Sequence, residues 1–382
     1  MGSNGTGPET LRVAMVVQAF RPQIGGAERQ IERLAPALAE RGVEVYVVTR
    51  RPPGTPAAEH LDGLEVRRVG VPARPAAASV AYTGGASALL WRLRPDLIHV
   101  HGLLSPASVG LIAGTAMRVP VVAKVLSSGD RGDIDRLLAK PLGRTRLRLL
   151  AERFAALIAL AEESERELVE HGVDPKRVHR IPNGVDTRRF RPPAPGERER
   201  LRAELGLPSG EPLALYCGRV IPEKRVVALA EAFGRVTNGR LVVVGGGSDE
   251  PRLRAVAQTS ALRDRVLVRG AVDDPSPYYR AADLYVSASG REGMSGSVLE
   301  AMASGLPTVA APAGGMEGLL AGGVGSVLDD ADPRTIAPAV DALLGDESLR
   351  RRMGAAARRR AESEYSLAAT ADRLVGLYGD LL

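Results

Sequence analysis

Leu11-Arg-Val-Ala-Met-Val-Val17, then Gly25-Gly-Ala-Glu-Arg-Gln-Ile-Glu-Arg-Leu-Ala-Pro-Ala-Leu38, then Val43-Glu-Val-Tyr-Val-Val-Thr49 follow one another near the start of the chain. The first is a short run rich in β-branched residues, bounded by turn signals. The second puts Ile31, Leu34, Ala35 and Leu38 on one helical face, and Gly42 stops the helix before the third run begins. Leu97 to Val100, Val119 to Val125 and Ala156 to Leu160 continue the series. Apolar runs that alternate with helices predict a parallel sheet covered on both faces.

The alternation pauses at Phe190-Arg-Pro-Pro-Ala-Pro-Gly196, a Pro-rich stretch that reads as a linker. It then restarts with Pro212 to Cys217, Arg240 to Gly245, Arg265 to Arg269, Leu284 to Ser287 and Pro307 to Ala311. The expected fold is therefore α/β, with two Rossmann-like α/β/α domains facing across a cleft. The expected division is 1–190 and 191–360, with a closing helix over 361–382 that packs back on the first domain. Ligands of such sheets are met at the carboxyl ends of the strands.

Composition narrows the function. The chain has 382 residues, 45% apolar and 25% charged, which excludes fibrous and wholly disordered classes. Aromatic residues are only 3%, too few for a stacking platform on single-stranded nucleic acid. The net charge of +6 lies in the first half: residues 1–190 hold 27 Lys and Arg against 20 Asp and Glu. A solvated basic face explains that better than a nucleic-acid site. The single cysteine, Cys217, lies in an apolar run and is expected to be a buried strand residue. No stretch reaches the roughly 18–20 apolar residues of a membrane span. Met1 to Thr10 reads as a polar leader or cloning remnant without signal-peptide character, so a cytoplasmic location is expected.

Five places carry candidate chemistry. Gly25-Gly26 lies between a strand and a helix, where backbone can approach an anion; a plain tight turn explains the pair equally well. In Asp96-Leu-Ile-His-Val-His-Gly102, His101 falls at the strand's carboxyl end and reads as functional, whereas His99 reads as structural. Gly218-Arg219-Val-Ile-Pro-Glu-Lys224 follows a strand, putting Arg219 on the loop and Lys224 at a helix start, two cations suited to a diphosphate. Gly245-Gly-Gly247 either admits a nucleotide or turns tightly. Finally, Glu292 and Glu300 flank Gly293-Met294-Ser295-Gly296-Ser297, placing two carboxylates and exposed amides before one polyhydroxylated anion. Asp273-Asp274 and Asp329-Asp330 read as turns, and no metal site is expected.

With Gly25-Gly26-x-Glu28, Asp-Leu-Ile-His-Val-His, Ile181-Pro-Asn-Gly-Val-Asp186, Gly218-Arg219-x4-Lys224, Ala281-Ala-Asp283 and Glu292-x7-Glu300 in order, the chain resembles the retaining glycosyltransferases of family four, with the GT-B fold. The resemblance implies a second domain that binds a UDP- or GDP-sugar and a first domain that binds an acceptor hydroxyl. It implies Arg219 and Lys224 on the diphosphate, Glu300 on the ribose, and Glu292 on the transferred sugar. Amides of Gly293, Met294 and Ser295 would help hold sugar and phosphate, the backbone near Val272 would meet the base, and His101 would lie beside the reacting sugar. Gly25 and Gly26 would approach the leaving diphosphate, and Asn183 to Asp186 would be architectural.

The sequence departs from the family pattern at Arg225, where a glycine usually follows the lysine. It departs also at Gly314-Gly315-Met316-Glu317, with its acid one position early, and at Leu126 to Asp130, which lacks a histidine. No cofactor or metal is implied, and the acceptor is open: a small molecule, a glycan or a lipid-linked one. A lipid-linked acceptor would give the basic first domain a role at an anionic membrane surface. A sugar phosphorylase or synthase of the same fold and a non-catalytic carbohydrate-binding protein are the competing readings; an oxidoreductase lacks the dinucleotide fingerprint.

Overall fold

The computed structural model describes residues 10–23, 25–70, 75–129 and 131–382. Most of the expected N-terminal leader, Ile24 of the first glycine loop and Asp130 fall outside them. Two compact units emerge. One runs to Gly184 and takes in Leu367–Leu382; the other is Val185–Ser366.

The first unit holds an eight-stranded sheet of β1 (Leu11–Val16), β2 (Val43–Arg50), β3 (Ala58–Leu61), β4 (Leu64–Val69), β5 (Leu97–His101), β6 (Val121–Lys124), β7 (Ala156–Ala159) and β8 (Val178–Arg180). Their order is β3-β4-β2-β1-β5-β6-β7-β8, parallel except for the β3–β4 hairpin. Successive residues of β5 feed opposite cores: Leu97 packs with Val13, Met15 and Val122, while Ile98 and Val100 pack with Ala14, Val16 and Ala123. Burial on both faces is why these strands read as continuous apolar runs.

The second unit holds β9 (Leu213–Cys217), β10 (Arg240–Val244), β11 (Val266–Gly270), β12 (Leu284–Ser287), β13 (Thr308–Ala310) and β14 (Gly325–Val327). The order β11-β10-β9-β12-β13-β14 is wholly parallel. In each unit the order reverses once, beside β1 and β5 in the first and beside β9 and β12 in the second. Loops leaving the strands on either side of such a reversal part company and open a crevice at the carboxyl edge.

The crossing differs from the expected 190/191 boundary. The Pro-rich stretch belongs to the second unit: Phe190 is fully buried against Tyr279, with ring centroids 5.3 Å apart, and Arg191 pairs with Glu197 at 2.8 Å. The chain leaves the first unit at Gly184 and returns at Leu367, rather than at 360/361. Val185 bridges Ser366, and a Cβ on Gly184 would lie 3.0 Å from Leu367 Cδ2. Buried Gln30 grips Gly184 through both its amide atoms, at 2.8 and 2.9 Å. The segment Asn183 to Asp186 thus has structural partners. The helical tail is two helices, Glu347–Glu364 and Leu367–Asp380, and the closing one lies in the first unit, where Leu374, Leu377 and Tyr378 join the core beside Ile31 and Leu34.

Candidate functional site

At the reversal point of the second sheet, the loops after β9 and β12 are laced together. Gly290 N–H donates to Glu223 O at 3.0 Å, and Lys224 Nζ meets Glu292 Oε1 at 2.5 Å with both side chains largely shielded. Tyr216, buried under the β9 loop, donates its hydroxyl to Arg219 O at 2.8 Å and fixes the loop's course. The Arg219 side chain is exposed above it.

Lys224 lies near a helix start, as expected, but just before it rather than in its first turn. Pro222–Lys224 form a 3-10 turn, Arg225 adopts a left-handed conformation (φ +49°), and the helix begins at Val226. A non-glycine residue in that region pays a steric cost of roughly 1–2 kcal/mol. This explains why glycine suits the position in the family pattern. Here the Arg225 guanidinium lies over Gly290: a Cβ on Gly290 would come within 3.1 Å of Arg225 Nε.

The glycines after β10 have a backbone explanation. A Cβ on Gly245 would fall 1.8 Å from Gly218 O, and one on Gly247 would fall 2.3 Å from Val220 O. They allow two loops to touch, so of the two readings of this turn, close packing accounts for both residues.

Beyond β12, Ser295 caps the helix Gly296–Ala303, accepting from Val298 N–H at 3.4 Å. Glu292 lies on the loop and Glu300 one turn into the helix, the placement that the eight-residue spacing implied. Glu300 is buried, and its Oε2 accepts from Tyr279 at 2.9 Å. Tyr279 stacks on Tyr285, and burial raises its hydroxyl well above the ordinary range, so it stays a donor. Sequence reasoning did not find Tyr279, because nothing local marks it as a partner of Glu300. Gly293 and Met294 are half-buried before Ser295, and Val272 is half-buried just after Gly270, which has φ +76°.

The first unit's reversal point is built differently. Gly25 precedes the helix Gly26–Ala39, and its N–H donates to Glu28 Oε2 at 2.8 Å. A Cβ on Gly25 would lie 2.5 Å from that oxygen, so the glycine admits the cap. A Cβ on Gly26 would meet nothing within 4 Å. The packing of the described residues does not require glycine there, and the space above it is open. Burial raises the Glu28 carboxyl above its usual range.

His101 ends β5, 5% exposed, and neither ring nitrogen has a hydrogen-bond partner among the described residues. His99 stacks beneath it with centroids 4.5 Å apart and shares Nδ1 with the Tyr378 hydroxyl at 2.7 Å. Burial, then Lys124, pushes His99 down to about 3; burial, then His99 and Lys124, holds His101 well below the usual histidine range. Both rings are neutral at physiological pH. Lys124, opposite His101 in the β5–β6 register, is itself only 3% exposed. The sequence offered one signal for it, a lysine inside the apolar run Val119 to Val125. No group of three His, Cys, Asp or Glu among the described residues could hold a metal ion, and no helix there is long and apolar enough to cross a membrane.

The chain matches two family models, "Glycosyltransferase Family 4" over residues 24–189 and "Glycosyl transferases group 1" over 197–360. It is 34% identical over 367 residues to a D-inositol 3-phosphate glycosyltransferase of Xylanimonas cellulosilytica, covering 87% of each chain. It is 32% identical to a GDP-mannose-dependent alpha-mannosyltransferase of Mycolicibacterium smegmatis, over 97% of this chain and 98% of that one. Among solved structures, the sucrose-phosphate synthase of Thermosynechococcus elongatus superposes with a TM-score of 0.79 at 25% identity, covering 97% of this chain and 99% of that one.

Proposed function

The chain belongs to the glycosyltransferases of family four and group 1, and on that premise we propose that it moves a sugar from a UDP- or GDP-sugar to an acceptor hydroxyl, with retention of configuration and without a metal. The observation that carries the reading is the Lys224–Glu292 pair at the reversal point of the second sheet. A lysine and a carboxylate held 2.5 Å apart meet the two halves of such a donor, the ammonium facing phosphate and the carboxylate facing sugar hydroxyls.

In the step itself, the bond between the anomeric carbon and the phosphate oxygen breaks, and the acceptor oxygen bonds to the same face. The acceptor's proton goes to the departing diphosphate. Positive charge grows on the ring and negative charge on the leaving group. Arg219, Lys224 and the helix N-terminus at Ser295 supply fixed positive potential to that leaving group. Glu300, held by Tyr279, accepts from the ribose. His101, neutral because of its burial, flanks the sugar without adding a charge to repel the developing cation. The relative named for GDP-mannose supports a guanine donor as the first to try.

A thermal-shift panel of UDP-, GDP- and ADP-sugars tests the donor. A ligand at about 100 times its Kd adds roughly 2.7 kcal/mol of stability. With the donor known, product analysis by NMR is expected to show the donor's anomeric configuration. Release of nucleoside diphosphate is expected to persist in excess EDTA. Release of sugar 1-phosphate instead would favour the phosphorylase reading, and an inverted product or a strict need for Mg2+ would overturn the proposal.

A further inference from the structure

The chain has only four lysines among its 51 basic residues, and one of them, Lys124, is buried. Val122, two residues earlier in β6, packs into the core shared with Leu97 and Ile158. Strand alternation therefore turns Lys124 to the same face as His99 and His101, which alternate with Leu97 on β5. The Lys124 side chain has no hydrogen bond or ion pair among the described residues, while its backbone carbonyl accepts from Gly102 N–H at 2.8 Å. Asp133, a carboxylate beside the same edge, is already engaged by Leu126 N–H at 2.8 Å and by the Ser127 hydroxyl at 3.4 Å. The imidazoles next to Lys124 are neutral and offer no counter-charge.

A buried cation without a partner is costly, and an apolar side chain of similar length would remove that cost. Lys124 is held at the carboxyl end of β6, one strand from the reversal point, where ligands of such sheets are met. Both nitrogens of the neighbouring His101 are likewise unspent. A cation and a neutral imidazole N–H side by side form a recognition pair for an oxyanion.

We propose that Lys124 and His101 form an anion subsite in the first unit, which takes a phosphate or carboxylate group carried by the acceptor. This rests on the glycosyl-transfer reading and narrows it: the acceptor is an acidic molecule whose charged group seats on β5 and β6 while its hydroxyl reaches the sugar. Burial lowers Lys124 from 10.5 to about 8, so it is still charged at neutral pH.

Calorimetry on the full chain with inorganic phosphate as the probe tests the subsite. Saturating UDP or GDP, whichever binds, occupies the donor site first. Phosphate is expected to bind this complex and to bind Lys124→Met at least about tenfold more weakly, while nucleoside diphosphate affinity stays within about twofold. His101→Gln, the second variant should the first not fold, is expected to weaken phosphate by about threefold or more. No phosphate binding with the donor site filled, or equal binding by the variants, overturns the subsite. A parallel loss of nucleoside diphosphate affinity assigns the anion to the donor and overturns the acceptor claim. If no nucleoside diphosphate binds at all, the donor reading has failed by itself. The phosphate titration then runs on a Lys224→Ala background, where loss of binding in Lys124→Met still supports the subsite and unchanged binding still overturns it.

Discussion

Lys224 and Lys124 are two lysines at the carboxyl edges of two parallel sheets, and they are solvated in opposite ways. Lys224 sits against Glu292 at 2.5 Å, on loops tied together by Glu223, Gly290 and Arg225. Lys124 sits beside neutral rings, with no carboxylate partner among the described residues. A charge with a built-in partner is stable before any ligand arrives, and the ligand then exchanges one partner for another. A charge without one makes the empty site unstable, and binding relieves it. The second unit is thus preorganised, while the first stores a cost that its ligand removes.

The largest expected effect concerns His101, the ring beside Lys124. His101→Ala is expected to slow nucleoside diphosphate release about 10²-fold and leave donor affinity within about twofold, as a residue that acts on the transition state does. Equal losses in both would make His101 a ground-state donor contact and blur the contrast between units. Next comes stability. The folded state holds Lys124 below its unfolded value, so the charged form is disfavoured in the fold. That cost is fully present below pH 8 and fades as pH rises from about 8 toward 10.5. Lys124→Met is therefore expected to be more stable than the parent, by on the order of 1–3 kcal/mol at pH 7. The gap should narrow at pH 9.5 in urea titrations. A less stable variant at pH 7 would mean that the lysine has a partner in the fold.

Tyr279→Phe sharpens the account of the preorganised unit. Loss of its bond to the buried Glu300 is expected to cost about 1–2 kcal/mol of stability and a few-fold in nucleoside diphosphate affinity. Unchanged affinity would detach Glu300 from the donor. The smallest effect is at Gly26. With open space around its Cα, Gly26→Ala is expected to leave stability equal or up to about 1 kcal/mol higher. Turnover is expected to fall if a ligand uses that space, and unchanged turnover would show that it does not.

Much of the architecture was legible because parallel strands buried on both faces leave an unbroken apolar run, as Leu213 to Cys217 does. The β3–β4 hairpin escaped notice for the same reason in reverse. In Leu64–Val69 buried residues alternate with half-buried ones, and Ala58–Leu61 carries Glu59 and His60 on the hairpin's rim. The crossing was misplaced because prolines mark a chain that cannot pair, not one that leaves a domain; Phe190 anchors those prolines in the second unit. Spacing put Lys224, Glu292 and Glu300 forward as candidates, since each follows the carboxyl end of a strand, at 7, 5 and 13 residues. It could not show the left-handed Arg225, the hydroxyl of Tyr279 or the isolation of Lys124. Those depend on what segments distant in the chain bring alongside.

The most direct test of the donor site is isothermal titration of the bare nucleoside diphosphate and of the intact nucleotide-sugar into the parent, Lys224→Ala and Glu292→Gln. Lys224→Ala is expected to weaken both ligands by about 10- to 100-fold, the value of a charge-assisted phosphate contact. Glu292→Gln is expected to weaken the nucleotide-sugar and spare the nucleoside diphosphate. Unchanged nucleoside diphosphate binding by Lys224→Ala, or equal losses of both ligands in Glu292→Gln, would contradict a site in which the lysine holds phosphate and the carboxylate holds sugar.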